Sequence, residues 1–212
     1  GDTFGAMAVG ARSLFSEPFD PMLFPVRRIH WPHTHWNDGD VEASEQKALD
    51  QLEQALATPT AAVILEPLIQ GAGGMRMVRP EFLRAVEQRV RHAGSLLIAD
   101  EVLAGFGRCG RLLASQRAGI RPDLVALSKG LTAGFLPMGI TLASEEIFQE
   151  FLGSDPTRTL WHGHSFTANP LGCAAANASL DLLEADPTCH EQFEARHQVC
   201  LLYTSPSPRD LL

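Results

Sequence analysis

Lysine is scarce in this chain: 212 residues carry fifteen arginines but only Lys47 and Lys129. Cysteine is sparse too, and Cys109, Cys173, Cys189 and Cys200 form no CxxC pair, which excludes a disulfide scaffold. A reducing cytoplasm is the simplest setting. The longest apolar runs, Ala61 to Leu65 and Leu96 to Ala99, fall far short of the ~20 residues of a membrane span, so no membrane partner is expected. There is no basic excess either. The net charge of -8 disfavours nucleic acid and anionic lipid and leaves small molecules as the expected partners. Neither an initiator methionine nor a signal segment precedes Gly1-Asp2-Thr3, so the chain is expected to begin inside a longer protein.

Hydrophobic residues make up 45% and charged residues 20%, the composition of a folded globular chain. At this length roughly 70% of the unfolded surface can be buried. The first forty residues, rich in Pro, Phe, Trp and His, read as irregular and loop-rich. The last twelve, 201–212, break with the preceding pattern and resemble a translated adaptor, so they are set aside as a non-native tail.

Regular patterning begins at Val41. Leu49, Leu52 and Leu56 predict a helix over Val41 to Leu56, and Ala62 to Glu66 reads as a short buried strand. Pro80 opens a second helix with Phe82, Leu83, Val86 and Val90 as its apolar stripe, and Gly94 closes it. Leu96 to Val102 is the next strand. A crossover through Leu112 to Ile120 leads to the strand Leu124 to Leu127, and Gly139 to Ala143 is a further candidate. Strands alternating with helices predict an α/β fold with a mainly parallel sheet covered on both faces.

Ligands of open parallel sheets bind outside the carboxyl ends of the strands. The residues at those ends are Glu66, Asp100-Glu101 and Ser128-Lys129. A surface cation could equally be arginine, so Lys129 reads either as a solvated strand-end cation or as an amine that must lose its proton. Asp100 favours the second reading, because a carboxylate closing the apolar run Leu96 to Ala99 is costly without a cation or strong donors. A lysine able to form an imine and an aspartate able to pair with a pyridinium nitrogen are the groups that pyridoxal phosphate chemistry requires.

Four ordered stretches carry a resemblance. They are Glu66-Pro67 with Gln70-Gly71-Ala72-Gly73-Gly74, Leu97 to Arg108, Ser128-Lys129-Gly130-Leu131-Thr132-Ala133-Gly134, and Ser165 to Leu171 before an Ala-rich helix. Together they resemble the class III, fold-type I aminotransferases over about residues 1–190. The resemblance implies a truncated pyridoxal-phosphate-dependent large domain: residues 1–185 its central part, and 186–200 the start of a connection to a small domain.

Asp2, where ornithine-type relatives have Arg, and Leu103, where they have Gln, point to the biotin-synthesis branch that converts 8-amino-7-oxononanoate to 7,8-diaminononanoate. The donor, S-adenosylmethionine or lysine, stays open. Another omega-aminotransferase, acting on ornithine or 4-aminobutyrate, is the alternative.

The resemblance also implies roles. Lys129 would hold the cofactor as an imine and shuttle the proton, and Asp100 would keep the pyridine nitrogen protonated. Val102, one pleat beyond Asp100, would pack on the ring. Ser165 would hold the cofactor phosphate across a homodimer interface, while Glu66 and Asp2 would meet substrate. For Asn169 and Pro170 plain helix capping explains the same residues.

Other signals compete. Gly105-Phe106-Gly107-Arg108-Cys109-Gly110 is literally GxGxxG, with Asp123 beyond it, but Asp100 and Glu101 would crowd a pyrophosphate, so a dinucleotide-binding dehydrogenase is the lesser reading. His30, His33 and His35, like His162 and His164, lack cysteine support and a usual zinc spacing, and read as loop packing. The Ala-rich helix around Ala174 to Ala178 reads as an interior helix. A structural remnant unable to act alone is the third reading, since the family's phosphate cup and small domain lie outside this sequence.

Overall fold

The computed structural model describes residues 3–32, 39–186, 192, 193 and 195. Asp2, His33, His35, Cys189, Cys200, most of 186–200 and the whole of 201–212 lie outside the described residues.

The first forty residues hold more regular structure than their composition predicts. Thr3 accepts the Ala6 N–H at 3.3 Å and so starts helix α1 (Phe4–Val9). Carbonyls at its far end, Ala8 and Gly10, accept from the Arg28 guanidinium at 2.6 to 3.0 Å, and Ala8 is buried. That bond set, between residues some twenty apart, satisfies a helix end that local patterning leaves open.

Helix α2 (Val41–Leu56) buries Ala48, Leu49 and Leu52, as its spacing predicts. Strand β1 (Ala62–Leu65) follows, then a two-residue hairpin of β2 (Ile69–Gln70) and β3 (Arg76–Met77), then helix α3 (Pro80–His92). Arg79, just before α3, grips Glu45 of α2 with two bonds of 2.9 and 2.6 Å, so the charge that α2 buries is paired. Beyond β4 (Leu96–Asp100) come α4 (Ala114–Ala118), β5 (Leu124–Leu127), β6 (Ile140–Ala143), α5 (Glu145–Glu150) and α6 (Pro170–Ala185).

The sheet runs β1-β4-β5-β6. The first three strands are parallel and β6 is antiparallel to β5, which makes the sheet mainly parallel as expected. Leu65, Leu97, Ala99, Val125 and Leu127 lie on one face and are buried; Leu65 and Leu97 pack with the stripes of α2 and α3 and with α4. On the other face Ile64 and Leu96 stay partly exposed.

Two sequence expectations change. The strand predicted to reach Val102 stops at Asp100, because the Glu101 carbonyl turns to accept the Gly105 N–H at 2.9 Å. Val102 therefore sits in a turn, and the pleat argument for its direction does not hold. Helix α6 is not an interior helix of this chain: it buries Gly172, Ala176 and Ser179 against the segment around Lys129, but Leu171 and Leu182 are more than 70% exposed. Small residues set how closely its inner face approaches, and they do not by themselves place a helix inside.

Candidate active site

Parallel register brings three strand ends into line. Leu65 pairs with Ala99 and Asp100 with Ala126, so Glu66, Asp100 and Lys129 stand at adjacent carboxyl ends of β1, β4 and β5. The three are close enough for their charges to interact. Burial and then the Asp100 charge raise the Glu66 carboxyl above the usual glutamate range, against the lowering pull of the Gly71 N–H and the Lys129 cation; burial is the largest of these effects.

Lys129 opens a 3-10 turn (Lys129–Thr132) with φ of +40°, a left-handed conformation that costs a side-chain-bearing residue ~1–2 kcal/mol. The surroundings hold it there. Ser128 Oγ donates to the Met138 carbonyl at 2.5 Å, Thr132 Oγ1 donates to the Leu136 carbonyl at 2.6 Å, and Leu131 and Thr132 are buried. Ser179 of α6 donates to the Gly130 carbonyl at 3.5 Å. A Cβ on Gly130 would come within 2.7 Å of Phe106, so glycine there lets the turn seat on the loop that follows Asp100. The amine itself projects from an exposed residue.

Asp100 is half-buried and its Oδ1 accepts the Val102 N–H at 3.1 Å. Among the described residues nothing donates to Oδ2, which leaves one carboxylate oxygen open beside a lysine. Glu66 is fixed differently: its Oε2 accepts the Gly71 N–H at 2.8 Å, tying the strand end to the β2–β3 hairpin turn. Gly71 has no room for a side chain, since the Leu103 tip lies 2.4 Å from where its Cβ would stand.

Glu101, grouped with Asp100 in the sequence, does something else. It is fully buried, and its two oxygens accept the Ala114 and Ser115 N–H groups at 2.6 and 2.8 Å. The alternation of side chains along a strand was the available signal, because consecutive residues face opposite ways.

The remaining candidates scatter. Ser165 is exposed, and no described hydrogen bond links it to Glu66, Asp100 or Lys129. Asn169 caps α6 by accepting the Gly172 N–H at 2.7 Å, with Pro170 at the first helical position, as read from the sequence. His30 packs on α2, within 3.1 Å of Ser44 Oγ. The GxGxxG stretch is no phosphate cradle: the N–H groups of Gly105, Phe106, Gly107 and Gly110 are spent on the carbonyls of Glu101, Leu112 and Gly107. Cys109 within it is pushed up to about 11 by burial and by the Glu101 charge, so its thiol is held neutral and unreactive.

Two cavities, of about 560 and 600 Å³, lie elsewhere, between the ends of α2 and α3 and along β1 near Trp31 and Phe82. Neither is lined by Glu66, Asp100 or Lys129, and neither gathers a nucleophile with carboxylates. The strand edge is the better candidate on chemistry.

Comparison with known proteins gives the family. The family model of class-III aminotransferases matches residues 1–200. The chain is 62% identical over 184 residues to an adenosylmethionine-8-amino-7-oxononanoate aminotransferase of Synechococcus elongatus, covering 86% of this chain and 43% of that protein. It is 45% identical over 194 residues to the enzyme of the same name from Geobacter sulfurreducens, with 88% and 43% covered. Among solved structures, the adenosylmethionine-8-amino-7-oxononanoate aminotransferase of Methanocaldococcus jannaschii aligns over 90% of this chain and 43% of its own, at 32% identity and a TM-score of 0.77. An amine transaminase from an uncultivated Pseudomonas species, solved in its PLP-bound form, aligns over 90% and 44% at 33% identity and a TM-score of 0.80. The chain thus spans less than half the length of these relatives.

Proposed function

The chain belongs to the class-III aminotransferases, and from that membership we propose that the full-length protein transfers an amino group to 8-amino-7-oxononanoate, giving 7,8-diaminononanoate, with pyridoxal phosphate as cofactor. The observation that carries the reading is the alignment of Glu66, Asp100 and the strained Lys129 on adjacent strand ends. This donor set fits the cofactor: one primary amine and one carboxylate with an oxygen that no described residue donates to. When bound, the cofactor supplies an aldehyde carbon that exchanges amino groups and a ring that withdraws electrons from the substrate carbon.

The chain's own residues do the rest. Lys129 would hold the cofactor through Nζ and move the proton at the substrate carbon. Asp100 would keep the ring nitrogen protonated through the oxygen that Val102 leaves open, and Val102, whose N–H orients the other oxygen, would belong to the same cofactor site. Glu66 would meet substrate, and so would Asp2, which is outside the described residues. Ser165, exposed here, would help hold the cofactor phosphate across the interface of a homodimer. S-adenosylmethionine, present in the relatives' name, is the first donor to test, and the cytoplasm is the proposed location. The likeness to the Pseudomonas amine transaminase favours a second reading, a broader amine substrate, which an acceptor screen separates from the first.

The test is Lys129→Ala in a full-length protein carrying this chain. It should remove the borohydride-stable cofactor label and all transamination, while the protein stays folded because only one exposed side chain is lost. Retained activity, or a label mapped to Lys47, would reject the assignment.

A further inference from the structure

We propose that Glu101 is a positioning residue for Asp100 and, through the same turn, for Lys129, an inference that rests on the function proposed above. Glu101 makes four bonds at the point where the chain leaves the sheet. Its N–H donates to the Ala126 carbonyl of β5 at 2.9 Å, and its carbonyl accepts from Gly105 at 2.9 Å. Its carboxylate accepts from Ala114 and Ser115 at 2.6 and 2.8 Å. A neutral residue at 113 could cap so short a helix equally well. What such a cap could not do is tie residue 101 itself to α4 and β5 at once.

The consequence reaches both proposed functional residues. Asp100 Oδ1 is oriented by the Val102 N–H, and the place of that N–H is set by the peptide of Glu101. Phe106, in the loop that Glu101 begins, is the surface on which Gly130 seats the Lys129 turn. A fully buried carboxylate with both oxygens satisfied holds this turn more rigidly than solvent-exposed bonds would. Loosening it lets the Asp100 oxygen and the Lys129 turn drift apart.

The test uses the full-length protein with and without pyridoxal phosphate, and compares Glu101→Gln, Ala114→Pro, Asp100→Asn and the double variant of positions 100 and 101. Glu101→Gln sets an amide donor against an N–H. Ala114→Pro deletes one donor and spares the carboxylate; the extended backbone of Leu113 (φ -119°, ψ 143°) and the first helical position both suit proline. Glu101→Gln should slow the single-turnover half-reaction about tenfold with KM little changed, the size seen when outer partners of site residues are lost. Ala114→Pro should slow it less. In the cofactor-free protein the Val102 amide should exchange faster in both. The double variant should lose less than the product of the two single losses, since the part of the Glu101 effect that runs through Asp100 is already gone and only the part that reaches the Lys129 turn is left.

Additive losses in the double variant, or unchanged Val102 exchange, would overturn the proposal. If Glu101→Gln does not fold, Ala114→Pro decides, and a full rate there rejects it. A wild-type protein that takes up no cofactor instead refutes the proposed function, and the exchange of Val102 still judges this inference separately.

Discussion

Glu66 is where the electrostatics of the strand edge can be read most directly. Burial and the neighbouring Asp100 charge raise its carboxyl in the folded chain above the value it has unfolded. The sign follows from linkage: a raised folded value means the group favours the fold fully below the usual glutamate range, and that contribution is lost as pH rises through the folded value. Glu66→Gln should therefore melt at a higher temperature than wild type near pH 8, where the charge is a burden, and the advantage should vanish near pH 4. The amide oxygen can still accept the Gly71 N–H, so the hairpin contact is not what changes. Equal melting differences at both pH values would show that the carboxylate is not strained by its surroundings. Lys129 was legible from the sequence because lysine is so rare here; the strain at its φ was not, since nothing local distinguishes a lysine at +40° from any other.

At the level of elements, the turn Lys129–Thr132 depends on contacts from three separate stretches: Phe106 beneath Gly130, Ser179 of α6, and the carbonyls of Leu136 and Met138. Gly130→Ala tests that arrangement. The new Cβ would meet Phe106 at 2.7 Å, so either the aromatic ring or the turn must shift. Overpacking of this kind costs ~1–3 kcal/mol. The expected outcome is a lower melting temperature together with weaker cofactor retention, measured by dialysis of the full-length protein. Unchanged retention would show that the Phe106 contact does not hold Lys129 in place.

The whole molecule is defined as much by what it leaves exposed as by its core. Phe135, Trp161 and Phe166 are 74% exposed or more, with Leu171 and Leu182 of α6 also more than 70% exposed. Expressed alone, the 212-residue chain should bind an environment-sensitive dye, elute as aggregates and hold pyridoxal phosphate weakly, without transamination. A monodisperse chain with a stoichiometric, tightly held cofactor on Lys129 would overturn this. The sequence by itself determined the alternation of helices and strands from Val41 onward, the caps at Pro80 and Asn169, and the strand-end line of Glu66, Asp100 and Lys129, because period, capping and strand ends are local properties. Only the tertiary structure decided that α1 forms on the Arg28 guanidinium, that the strand stops at Asp100, that the Glu101 carboxylate meets the Ala114 and Ser115 N–H groups, and that α6 keeps one face bare. Each of these depends on bonds or packing between residues distant in the chain, and a local pattern carries no information about which distant partner will arrive.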